Sequence, residues 1–144
     1  MRRAALLLVL ALASACVSPS RTDRDFELKA GNSAKAVSSS VATALLGVKA
    51  ANEHKATGPY LSVLLAGAEK DVLSVQGQFD SVQPPSNRAD EMRSTLDELL
   101  SQAAEGLATL RITVRRGELD QLDSLAKPLR PVLAELRKLA EEWQ

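Results

Sequence analysis

From Phe26 to Trp143 the apolar residues recur three and four positions apart, in runs separated by glycine and proline. That spacing is the period of one helix face; a strand would alternate every second residue. The chain is therefore restricted to amphipathic helices that must bury one stripe each. The first stripe is Phe26, Ala30, Ala34, Val37, Val41, Leu45 (with Ala44), Val48 and Ala51. It predicts a helix from about Asp25 to Lys55, stopped by Thr57-Gly58-Pro59. A second begins near Pro59, which suits a first helical turn, and carries Leu61, Leu64 or Leu65, Ala68, Val72, Val75, Phe79 and Val82. Pro84-Pro85-Ser86-Asn87 ends it and offers Ser86 or Asn87 as the cap of a third.

The third stripe is the most regular: Ala89, Met92, Leu96, Leu99/Leu100, Ala103, Leu107, Leu110 and Val114. On its outer face Arg93 and Asp97 stand four apart, a spacing for a modest ion pair. Gly117 follows Arg115-Arg116 as a C′ glycine follows a basic last turn. A fourth stripe restarts at Leu119 and runs through Leu122, Leu125/Ala126, Leu129, Val132/Leu133, Leu136 and Leu139/Ala140 to Trp143. Pro128 and Pro131 interrupt it, and an interior proline costs about 3 kcal/mol. The apolar phase nevertheless passes through both. The expectation is a kink near Leu125–Lys127, or a short helix abutting a longer one. Pairs such as Arg137/Glu141 and Glu135/Lys138 complete a charged outer face.

Four such helices with short connections predict an all-α, up-down-up-down four-helix bundle over residues 25–144, its fourth helix kinked near Pro128/Pro131. Phe26, Phe79, Met92 and Trp143 would then meet at one end. His54, Tyr60, Arg111, Arg115, Arg116 and Glu118 would lie at the other. Aromatics make up only 3% of the chain, and alanine, leucine and valine supply the rest of the core.

The segment before the bundle has a different character. Met1-Arg2-Arg3 precedes an almost wholly apolar run, Ala4 to Ala13, and then Ser14-Ala15-Cys16. A basic start, a short apolar stretch and small residues before a cut are the parts of a secretory signal. Leu12-Ala13-Ser14-Ala15-Cys16 resembles the lipobox of bacterial lipoproteins. The resemblance implies removal of residues 1–15 and diacylglycerylation of the Cys16 thiol, with a membrane as the first partner. Ala13-Ser14-Ala15 is also an A-x-A site for ordinary cleavage at the same bond, which would release a secreted protein with a free thiol. Cys16 is the only cysteine, so no intramolecular disulfide can claim it. Residues 16–24 form the lipidated cysteine and a short polar tether. With no aspartate directly after Cys16, the usual sorting pattern of a Gram-negative host implies the outer membrane.

Charge excludes some partners. Without Arg2 and Arg3, 16 basic groups face 18 acidic ones, which gives no electrostatic case for nucleic acid. His54 is the only histidine, and no Glu-x-x-His or C-x-x-C-H occurs, so neither a bundle metal site nor haem is expected. No cofactor is called for. No serine lies in G-x-S-x-G, and Gly31, Gly47, Gly67, Gly77 and Gly106 are isolated within helices rather than gathered in a phosphate loop. These glycines either let helices approach closely or leave room for an apolar ligand.

The functional expectation is accordingly a non-enzymatic, membrane-tethered envelope lipoprotein that acts as a protein-interaction or structural accessory module. His54, Tyr60, Arg111, Arg115 and Arg116 are the candidate contacts for an envelope partner. The alternative is a ligand-binding or sensory bundle with an apolar pocket between helices.

Overall fold

The computed structural model describes residues 20–144, and Cys16 with its lipobox-like segment lies outside them. Among the described residues the fold is all-helical. The elements are α1 (Asp23–Asn52), α2 (Gly58–Asp80), α3 (Asn87–Arg115), a 3₁₀ turn (Leu119–Gln121), α4 (Leu122–Ala126) and α5 (Leu129–Glu142). No helix among them is long and apolar enough to cross a membrane.

The predicted stripes are the buried faces. Phe26, Ala30, Ala34, Val37, Val41, Ala44 and Val48 of α1 join Leu61, Leu65, Val72 and Phe79 of α2 in one core. Leu96, Leu100, Leu107 and Leu110 of α3 and Leu122, Leu129 and Leu136 of α4 and α5 complete it. α1 and α3 each touch α2 and α5 as well as each other, so they form the middle of the packing and α2 and α5 flank it. At the start of α1, the Phe26 and Phe79 rings lie 5.5 Å apart. The Ser86 hydroxyl accepts from the Ala89 N–H at 3.2 Å as the cap of α3 and donates to Asp23 at 2.6 Å. One side chain therefore closes a helix end and ties it to α1. Trp143 is half-buried beside Gly31, about a turn and a half along α1 from Phe26. A methyl at Gly31 would meet the Trp143 carbonyl oxygen at 2.7 Å, and one at Gly106 the Leu129 side chain at 2.5 Å. Close approach accounts for these two glycines. Gly67 and Gly77 have open space where a Cβ would stand.

The two prolines divide the fourth stripe. Lys127 and Pro128 keep helical dihedrals (φ −54°, ψ −44° and φ −62°, ψ −26°), yet α4 stops at Ala126 and α5 begins at Leu129. Pro128 and Pro131 cannot donate, and the backbone N–H groups of Lys127 and Arg130 bond three residues back instead, to Ser124 and Lys127. The buried face is continuous across the break, because the chain direction never leaves the helical region.

The end of α1 departs from expectation. The helix stops at Asn52 rather than Lys55, and His54 stands beyond it with φ 57°. The His54 N–H bonds to the Ala51 carbonyl at 2.9 Å and the Lys55 N–H to that of Ala50 at 2.7 Å. This is the paired closure that glycine usually provides. α3 ends the same way, with Gly117 at φ 77° and bonds from Gly117 to Val114 and from Glu118 to Thr113. Helical periodicity carries no sign of a left-handed histidine, so the stripe alone overran the end. Holding a β-carbon there costs about 1–2 kcal/mol. His54→Gly should therefore stabilise the protein by about 1 kcal/mol, less the added freedom of the unfolded chain. The melting temperature should rise by roughly 1–3 °C after that subtraction. A lower melting temperature would show that the imidazole makes a compensating contact.

Candidate functional site

The five candidate contacts lie on the turn after α1, on α2, and on α3 and its C-cap. His54 is exposed in the turn after α1, and Tyr60 is exposed in the first turn of α2. Arg115 and Arg116 are exposed at the end of α3. Arg111 differs. Its Nε and Nη2 both donate to the Glu69 carboxylate of α2, the latter at 3.2 Å to Oε1, with the two side chains 21% and 16% exposed. This two-point hydrogen bond, together with the paired charge, raises the Arg111 pKa above its ordinary value. The guanidinium is committed to joining α2 to α3 and has little left to offer a partner. Arg111 and Arg115 do share a shallow groove of about 310 Å³ between these helices, with Lys70 and Leu73 on its other side.

A second charged group lies on the same pair of helices. The Arg93 guanidinium sits 5.8 Å from the centre of the Phe79 ring and reaches the Asp80 carbonyl at 3.5 Å. It does not form the expected ion pair with Asp97, because the ring and the end of α2 draw it away along the seam. Burial, with the Asp80 charge next, raises the Asp97 pKa, and Arg93 only partly offsets them. This is a packing arrangement at a helix seam. No group of three or more His, Cys, Asp or Glu side chains among the described residues is placed to hold a metal ion.

Two surface features were not singled out by sequence reasoning. The first is the set of exposed apolar side chains on α2 beyond Tyr60, where Val63 borders the α1–α2 groove and Leu73 the α2–α3 groove. Tyr60, Val63 and Leu73 are 57%, 76% and 51% exposed, three of the six exposed large apolar side chains among the described residues. The signal was present: Val63 and Leu73 are surplus to the stripe that α2 buries. The second is a half-open cleft of about 380 Å³ between α1 and the α4–α5 pair. Ala42, Leu45, Val48, Ala126 and Leu133 supply its apolar lining. Lys49, Asp123, Arg130 and Arg137 stand around it, and the exposed Leu46 flanks it. Asp123 and Arg130 bridge the proline break with an ion pair at 3.1 Å.

Comparison with family models, with curated proteins and with solved structures finds no match for this chain.

Proposed function

We propose that this protein is a membrane-tethered, non-enzymatic binding module of the bacterial envelope that captures a partner protein through the exposed apolar side chains of α2. In this reading Cys16 carries the lipid anchor, in the outer membrane if the host is Gram-negative. The helices form an up-down-up-down bundle in which α4 and α5 are one fourth helix kinked at Pro128. The start of α1 and the ends of α2 and α5 then face the membrane. Tyr60, Val63, Arg115 and Arg116 point away from it, where a partner has access.

The observation that carries the reading is the exposure of Tyr60, Val63 and Leu73 along one helix. α2 has only Glu69, Lys70, Asp71 and Asp80 as charged residues, and Glu69 is occupied by Arg111. Exposed apolar and aromatic side chains are what a protein interface covers, and tyrosine and arginine are frequent among its dominant residues. Leaving these side chains in water gains nothing for the fold.

The test is a pull-down of the anchored protein from its own envelope, repeated with Val63→Asp plus Leu73→Asp and separately with Arg115→Glu plus Arg116→Glu. Surface changes of this kind shift stability by about 0.5 kcal/mol or less, so helicity should be unchanged. The apolar pair of substitutions should reduce recovery of the specific partner by tenfold or more. The charge reversal should weaken capture of an acidic partner most at low salt, where screening is least. Equal recovery by all three proteins would refute the α2 surface. A second reading, a bundle that binds a small ligand, has its own support in the cleft beside α1.

A further inference from the structure

The grooves of the surface differ in chemistry. The groove between α1 and α2 is edged by Ser39, Ser40 and Thr43, with Asp71 as its charged residue. That between α3 and α5 has Glu105 as its charged residue, beside Gln102 and Thr109. In the α2–α3 groove the Glu69 carboxylate is already neutralised by Arg111. The cleft between α1 and the α4–α5 pair combines an apolar lining with three cations, Lys49, Arg130 and Arg137, against one carboxylate, Asp123. Asp123 is paired with Arg130, and Lys49 approaches Glu53 at 4.0 Å. Arg137 forms no ion pair among the described residues: the expected Arg137/Glu141 pair is not made, while the expected Glu135/Lys138 pair is, at 3.1 Å.

The lining residues fall on one stripe of each wall. Asp123, Ala126, Arg130, Leu133 and Arg137 recur at 3, 4, 3 and 4 positions and so continue one helical stripe through the proline break. Ala42, Leu45, Lys49 and Asn52 form the facing stripe of α1. Ala42 is half-buried at the side of the seam, and Ala126 is buried in its floor. The result is a trough with an apolar length and a cation left over at its rim. Its volume of about 380 Å³ falls within the range of about 300–1,000 Å³ for small-molecule sites, which are mostly apolar with a few placed polar groups.

We infer that this cleft binds a single-chain amphiphile with an anionic head, its acyl chain laid along Ala42, Leu45 and the exposed Leu46 over a buried floor of Ala126 and Leu133, and its carboxylate or phosphate held by Arg137. Charge complementarity selects the head. An uncharged alcohol of equal length would bury the same chain and leave Arg137 unpaired, and a cationic amphiphile would meet three like charges. The inference does not rest on the α2 partner surface.

The experiment uses the full chain in membranes, exposed to a photoactivatable hexadecanoic acid, with the labelled peptides mapped by mass spectrometry. Labelling should concentrate on residues 42–52 and 123–137. Hexadecanoate should compete, hexadecanol should compete at least tenfold less well, and lysophosphatidylglycerol shows whether a phosphate head serves as well as a carboxylate; both heads fall within the inference. Arg137→Glu should lower labelling about tenfold, as expected for loss of a charged hydrogen bond, and Arg137→Lys should retain most of it. Ala42→Phe should block the trough without changing charge. Val63→Asp should leave labelling unaltered, which separates this site from the partner surface. Labelling spread in proportion to exposure, or equal competition by hexadecanol, would overturn the inference. So would a folded Arg137→Glu protein labelled like the wild type. The label map and the competition decide the matter even if a variant fails to fold.

Discussion

Phe79→Ala should remove about 3–5 kcal/mol of folding free energy, the cost of emptying a fully buried phenylalanine site. Phe79 is 2% exposed, and its ring meets Phe26 at 5.5 Å on one side. On the other side it receives the Arg93 guanidinium at 5.8 Å. Truncation therefore leaves a cavity between the end of α2 and the start of α1. It also strips the ring from Arg93 Nε and Nη2, which are buried and have no hydrogen-bond partner. Domains of this size are stable by only about 5–15 kcal/mol, so the variant should lose a large share of its urea resistance. Val63→Ala, on the exposed face of the same helix, should change stability by about 0.5 kcal/mol or less. If the two variants unfold at the same urea concentration, Phe79 is not the centre of packing at that end.

Cys16→Ser should have the largest effect on where the protein resides. The proposed wild type partitions into detergent and carries diacylglycerol on the Cys16 thiol, and two or three acyl chains hold a protein to a membrane stably where one does not. A serine hydroxyl offers no thiol to acylate. The variant should either remain unprocessed or appear in the soluble fraction after ordinary cleavage following Ala15. Intact mass of the wild type is the decisive measurement. A mature terminus beginning with unmodified Cys16 would exclude lipidation and leave plain secretion. If the anchor fails, the membrane-tethered part of the proposed function fails with it, while the exposed side chains of α2 and the cleft remain to be tested on the released protein.

The helical class, the buried stripes and most helix ends were legible in the residues because each depends on local chemistry. A 3–4 apolar period admits one secondary structure. Ser86 caps α3, and Gly117 closes it in a left-handed turn, because those residue types suit those backbone positions. The interruption of the fourth stripe followed from the missing N–H groups of Pro128 and Pro131. What the period could not express was any choice between neighbours in space. His54 takes a conformation usually left to glycine. Arg111 is bound to Glu69, 42 positions earlier, and Arg93 turns to Phe79 rather than to Asp97. Each of these is decided by which helices lie side by side, a relation between residues far apart in the chain. The same holds for the surface. Sequence identified Tyr60, Arg115 and Arg116 as candidate contacts and left Val63 and Leu73 outside the buried stripe, while the packing committed Arg111 to Glu69. The cleft too depends on the packing, because its two walls, residues 42–52 and 123–137, come from helices far apart in the chain.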